Sequence, residues 1–198
     1  RLPSLDYLPV VLHEYAHTLF EVNLEHYLLK EKEESKDYQS RFDDGQKSFN
    51  YNVPIGIIDL AAPYNEYFAD VYAVLTLDDP QAMSNYFSAC NGIDHQRDFT
   101  WMYEVDPAKP IQDLTSVFTD VHLTLDPART FIWQKYLQLQ SNPKAKELIL
   151  TAVFMAAKEA IGDFYHSKTL YKDWAHTDVV LMNSDFILRI NQHLPKTP

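Results

Sequence analysis

Residues 9–30 read PVVLHEYAHTLFEVNLEHYLLK, and this stretch decides the fold class. Apolar side chains recur along it at the spacing of one helical face, namely Val10, Leu12, Ala16, Leu19, Phe20 and Leu24. The stretch then runs into EKEESKD, a charged segment that is typical of a solvated helix end. The pattern predicts one long amphipathic helix near the start of the chain.

Further helices are predicted along the rest of the chain. Helical periodicity returns from Pro63 to Leu77, and an Asp or Asn cap followed by Pro marks three later helix starts, at Asp79-Pro80, Asp126-Pro127 and Asn142-Pro143. We therefore expect helices near 80–89, 127–140 and 143–165, and a last one near 184–193. Residues 51–58 suit a short strand or an extended linker, and 91–120 carries no clear pattern.

The composition agrees with a mainly helical fold. Four glycines stand against eleven prolines, and tight hairpin turns depend on glycine. No Gly/Ser linker or low-complexity stretch marks a boundary, so we expect a single domain over 1–198. Cys90 is the only cysteine, which excludes a disulfide within the chain. We interpret it as a half-buried thiol in a helix.

Charge and hydropathy limit the partners. A net charge of −11 argues against a nucleic-acid partner, which requires a basic face. No apolar run approaches the roughly 20 residues that span a bilayer, so we expect no transmembrane segment. The chain begins with Arg1 rather than Met, and we expect a processed protein or an excised domain. This favours an extracytoplasmic location, secreted or periplasmic, and leaves the compartment open.

The pentapeptide HEYAH at 13–17 carries the chemistry. His13 and His17 are four residues apart on a helix, so both rings can bind one Zn²⁺ ion. Glu14 is turned toward the open coordination position, where it can take a proton from water whose pKa zinc lowers from about 15.7 to about 7. The spacing predicts two zinc ligands and a general base.

A catalytic zinc site needs a third protein ligand, and the best candidate lies in NEYFAD at 65–70. Glu66 and Asp70 share one face of the second predicted helix. Glu66 can bind the metal while Asp70 accepts the ring N–H of a ligand histidine. The alternative is a solvated helix face, which the apolar neighbours Tyr64, Phe68 and Val71 disfavour.

HEYAH followed by NEYFAD resembles the gluzincin class of metallopeptidases, and ExxAD is similar to the third-ligand helix of the CAAX-prenyl-endopeptidase-like family. The resemblance covers about residues 8–77. It implies that His13, His17 and Glu66 bind zinc, that Glu14 is the base and that Asp70 supports a ligand. It also implies a zincin-like fold with a small β-sheet, whose source is 45–60 or sequence upstream.

Two related classes differ from this chain. The metzincin pattern HExxHxxGxxH is not matched, because Phe20 and Asn23 stand where Gly and the third His belong. The membrane segments of the CAAX-type enzymes have no counterpart, so their substrate class does not transfer.

The residue that stabilises the oxyanion is open. His122 precedes a predicted helix and has Arg129 nearby, and zincins often use a His or Tyr from the C-terminal half. The alternative for His122 is a loop histidine bonded to backbone; Tyr103, Tyr165 and Tyr171 are further candidates. His26 points away from the zinc face, and we expect it at the surface.

The sequence predicts a zinc-dependent metallopeptidase that hydrolyses a peptide or protein substrate. A second hypothesis is a non-proteolytic zincin-like domain that binds, regulates or acts on a non-peptide amide. A third is a helical interaction domain with a coincidental HExxH, which would bind no stoichiometric zinc.

Overall fold

The computed structural model describes residues 7–34, 57–91, 97–101, 122, 124–167 and 176–196. These ranges contain six α-helices and no strand: α1 (Leu8–Glu34), α2 (Ile57–Leu77), α3 (Ala82–Asn91), α4 (Asp126–Leu139), α5 (Ala145–Ser167) and α6 (His176–His193). The predicted mainly helical fold is confirmed. Within the described helices, none is both long and apolar enough to cross a membrane.

Two helix starts lie well before the predicted ones. Helix α2 begins six residues before Pro63, although proline is most favourable in the first turn because it lacks an N–H. Residues 57–58, expected in a strand or linker, therefore lie in the first turn of α2. The preceding residues 45–56 lie outside the described residues. Helix α6 begins at His176, eight residues before the predicted 184.

Two of the three predicted helix caps are confirmed. Asp79 Oδ1 accepts the N–H of Gln81 at 2.9 Å, and Asn142 Oδ1 accepts the N–H of Lys144 at 2.9 Å. The third, Asp126, is wrong. It is a helical residue whose carboxylate pairs with Arg129, because that fully buried guanidinium requires an opposite charge within reach.

Helix α2 lies at the centre of the core. It is buried on nearly every side between Tyr64 and Leu75, as expected for a helix that is apolar all round. Phe68 of α2 packs against Phe20 of α1 and Phe154 of α5, with ring centroids 5.5 and 6.2 Å away. The face of α2 toward α1 carries Glu66 and Asp70, so two acidic residues lie at a helix–helix interface.

Candidate metal centre

Helix α1 turns His13 and His17 toward α2. His13 is buried and His17 half-buried, and their Nε2 atoms lie 2.9 Å apart. Their other ring nitrogens have oxygen partners on α2. His13 Nδ1 lies 3.0 Å from Asp70 Oδ1, and His17 Nδ1 lies 2.9 Å from Asn65 Oδ1.

These partners suit the tautomer that a metal site requires. A carboxylate and an amide oxygen accept hydrogen bonds, so each Nδ1 can donate its proton to α2 while each Nε2 offers a lone pair to a metal ion. Two lone pairs at 2.9 Å repel each other unless a proton or a cation lies between them. The pair therefore has the electronic arrangement of two ligands to a single cation.

Glu66 completes a set of three donors. Its Oε2 lies 3.2 Å from His13 Nε2, and its Oε1 lies 3.5 Å from His17 Nε2. Ligands bound tetrahedrally to zinc at about 2.0–2.2 Å are about 3.3–3.6 Å apart, close to both values. The three donor atoms are therefore of the type that binds zinc, and the two distances to Glu66 suit its geometry. The 2.9 Å between the two Nε2 atoms is shorter than the separation of two tetrahedral zinc ligands.

Two carboxylates compete for the place of third ligand. The donor atoms of Glu14, His13 and His17 also lie within 4.8 Å of one another. Glu14 is exposed, whereas Glu66 is half-buried and contacts both histidines. Glu66 is therefore better suited to hold a metal, and Glu14 is better suited to exchange a proton with water.

Opposite charges control the ionisation of the site. Burial alone would raise the pKa of Glu66, but the hydrogen bond with His13 and the nearby His122 and His17 hold it below its ordinary value. Burial alone would lower the pKa of His13, but hydrogen bonds with Asp70 and Glu66 raise it above 6.5. Glu66 consequently remains a carboxylate, which is the form that binds a metal.

Asp70 is the most buried charge of the cluster. Arg97 Nε donates to both of its oxygens at 3.0 and 2.8 Å, and Arg129 Nη2 donates at 2.5 Å. Burial alone would raise the pKa of Asp70, yet the two guanidinium groups hold it well below its usual range. A charged Asp70 can accept the Nδ1–H of His13.

Arg97, which the sequence analysis missed, reaches the donor set. Its segment, 97–101, is anchored on the residues directly before α3. Phe99 N donates to Pro80 O (3.0 Å) and Gln81 Nε2 donates to Asp98 Oδ2 (2.9 Å). The backbone of Arg97 is left-handed, with φ of 60°. No motif surrounds this residue, so only the fold could have identified it.

Asn65 was also given no role before the structure. Its amide Nδ2 donates to Glu21 Oε1 of α1 at 3.2 Å while its oxygen faces His17. The amide is held from both sides, which orients the His17 ring. The only sequence signal for Asn65 was its position directly before Glu66 in NEYFAD.

His122 lies beside Glu66, with 3.4 Å between Nε2 and Oε2. Its backbone carbonyl accepts a hydrogen bond from Arg129 Nη2 at 2.7 Å, while its side chain is half-exposed. Arg129 itself is buried below the site. Tyr103 and Tyr171 lie outside the described residues, as do the side chains of Tyr165 and His26.

An open cleft of about 360 Å³ gives access to the cluster. Its walls combine the polar site with three apolar or aromatic side chains; they are Val10, His13, Glu14, His17, Glu66, Tyr86, Phe87, Arg97 and His122. A ligand in this cleft can contact Glu14, His122 and the donor set together.

No family model, curated protein or solved structure matches the chain. The resemblance to gluzincins therefore depends on HEYAH and NEYFAD alone.

Proposed function

We propose that the chain is a zinc-dependent metallopeptidase, with His13, His17 and Glu66 as ligands and Glu14 as general base. One observation carries the proposal: three donor atoms from two helices converge at separations of 2.9, 3.2 and 3.5 Å beside an open cleft. Asp70 and Asn65 support it, since they orient both rings with Nε2 toward the shared point.

The reaction follows from the placement of these side chains. When bound, zinc supplies Lewis acidity for a carbonyl and for a water molecule. Glu14 would accept a proton from the attacking water, whose oxygen forms the new bond to the carbonyl carbon. It would then return the proton to the amide nitrogen as the C–N bond breaks and the amine leaves. His122, half-exposed in the cleft, donates a hydrogen bond to the oxyanion. The open cleft and the exposed base suit a peptide or protein substrate.

The first test is the zinc content of the purified protein. We expect about one zinc per chain, and a loss of stoichiometric zinc in His17→Ala because two donors do not hold a catalytic ion. His193→Ala is the matched control, since His193 also pairs with a carboxylate, Glu159 at 2.9 Å, outside the cleft. A wild-type protein without stoichiometric zinc would instead favour the helical interaction domain.

The second test separates binding from catalysis. Glu14→Gln should keep its zinc and lose at least about 100-fold in turnover of a mixed fluorogenic peptide library, because it cannot accept a proton. Glu147→Gln, an exposed carboxylate on α5, should behave as the wild type. Undiminished turnover in zinc-loaded Glu14→Gln protein contradicts the mechanism. A zinc-loaded wild type that cleaves no peptide favours the non-proteolytic hypothesis.

A further inference from the structure

The guanidinium group of Arg97 lies against the donor set. Arg97 Nη2 lies beside the His13 ring, 3.1 Å from Nδ1 and 3.3 Å from Nε2, and it bonds Asp70 Oδ1. The same nitrogen is 3.4 Å from Glu66 Oε2, an oxygen of the set that suits zinc. The guanidinium therefore lies within hydrogen-bonding distance of a carboxylate oxygen that a metal ion would use.

The contact with Glu66 makes this a competition. Arg97 Nη2 and a metal ion would both lie at the same carboxylate oxygen, Oε2, and two positive groups at one oxygen repel each other.

Arg97 can release these contacts without leaving its place. Its Nε remains bonded to both oxygens of Asp70, and its guanidinium stacks 4.7 Å from the ring centroid of Phe87. Arg129 differs, because it bonds Asp70, Asp126 and the backbone carbonyl of His122, which are not donor atoms of the set. Of the two arginines on Asp70, Arg97 is the one that can respond to a metal.

We propose that Arg97 is the resident cation beside Glu66 in the metal-free protein and that it competes with zinc for Glu66 Oε2. Its charge offsets part of the negative charge of the site before the metal arrives, and it lowers the zinc affinity of the assembled site. This inference rests on the proposed function, because it takes zinc as the metal of the site.

The test is the zinc Kd of Arg97→Gln, measured by competition with a chromogenic chelator. Removal of the competing charge should tighten zinc binding by at least about tenfold, and the metal-free variant should unfold at a lower temperature than the wild type. Arg189→Gln is the matched control, because it removes an arginine paired with Asp163 and Asp185 outside the cleft. Its zinc Kd should equal that of the wild type.

A purely structural role for Arg97 predicts the opposite sign. Donors that lose their positioning residue would bind zinc more weakly, so an unchanged or weaker Kd in Arg97→Gln overturns this inference alone. If neither the wild type nor Arg97→Gln binds zinc, the proposed function fails and the inference fails with it.

A measurement on the wild type covers the case in which Arg97→Gln does not fold. In protein with ¹⁵N-labelled arginine, zinc should shift the guanidinium signals of Arg97 and leave those of Arg129 in place. Arg97→Lys assigns the Arg97 signals. Unchanged Arg97 signals in the zinc-loaded protein overturn the proposal.

Discussion

Asp70 has no exposed surface and accepts hydrogen bonds from Arg97 and Arg129 while it faces His13 Nδ1. Removing solvent from a carboxylate costs several kcal/mol, and here two arginines and one histidine replace the water. The same contacts that offset this cost also orient the His13 ring. At the scale of residues, stability and the candidate site therefore depend on one side chain.

Asp70→Asn should lower the free energy of unfolding by about 3–5 kcal/mol at pH 7, because it leaves two buried arginines without their shared counter-charge. The pKa of Asp70 is lowered in the folded state, so its contribution to stability is full above the ordinary value of 3.8. It is lost progressively as the pH falls from that value toward the lowered pKa. Urea titrations at pH 7 and pH 3 should thus show a smaller difference at pH 3.

The control for this substitution is Asp163→Asn, which removes a carboxylate that is 67% exposed and pairs with Arg189. We expect it to cost less than about 1 kcal/mol. Equal losses in the two variants would contradict the special role of Asp70.

At the scale of elements, the C-terminus of α2 is joined to α4. Helix α2 ends in a left-handed residue, Asp78 with φ of 55°, and the N–H of Asp79 bonds the carbonyl of Val74 at 3.2 Å. This is the Schellman arrangement, which usually places glycine at such a position. Tyr136 of α4 donates its hydroxyl to Asp78 Oδ1 at 2.6 Å. The carboxylate of Asp78 forms the link to α4, and a glycine at this position would lose it.

Tyr136→Phe should destabilise the protein by about 1–3 kcal/mol at pH 7, since it removes a hydrogen bond to a charged acceptor. The hydrogen bond to Asp78, together with burial, raises the pKa of Tyr136 from 10.0 to about 12. A raised folded pKa means that the contribution is full below pH 10 and disappears as the pH rises toward 12.

Chemical denaturation at pH 7 and pH 11 checks this prediction. The wild type and Tyr136→Phe should differ less at pH 11 than at pH 7. Tyr7→Phe, at an exposed tyrosine, should match the wild type at both values. A difference between wild type and Tyr136→Phe that does not change with pH would contradict the assigned hydrogen bond.

At the scale of the whole molecule, aromatic rings join the other helices to α2. Phe186 of α6 is fully buried, with ring centroids 4.9 Å from Tyr64 and 5.2 Å from Tyr67. Tyr67 continues the contact to α4 through a hydrogen bond from its hydroxyl to the carbonyl of Ala128 at 2.7 Å. Helix α2 is thereby held from several sides, which keeps Glu66 and Asp70 in register with α1.

Phe186→Ala should cost about 3–5 kcal/mol in the free energy of unfolding, because it removes a ring and leaves a cavity beside α2. Leu188→Ala, on the same helix but 56% exposed, should change it by less than about 0.5 kcal/mol. Guanidinium chloride titrations of both variants check the contrast. A loss below about 1 kcal/mol in Phe186→Ala would show that α6 is not part of the core.

The sequence by itself determined the features that depend on helical period. Four-residue spacing is enough to put His13 and His17 on one face, and likewise Glu66 and Asp70, because both pairs are local to one helix. Apolar periodicity determined the mainly helical fold, and the Asp79 and Asn142 caps are equally local. The predicted zinc and its chemistry follow from these spacings and stay predictions for the tests above.

Only the tertiary structure decided which side chains surround that local pattern. Arg97 is 84 residues from His13 and His122 is 56 residues from Glu66, so their meeting depends on how the helices pack. The start of α2 six residues before Pro63 and the complete burial of Arg129 also depend on packing, because neither follows from spacing within a helix. Spacing within a helix is set by its backbone geometry, whereas contacts between helices are set by the packing of the entire core.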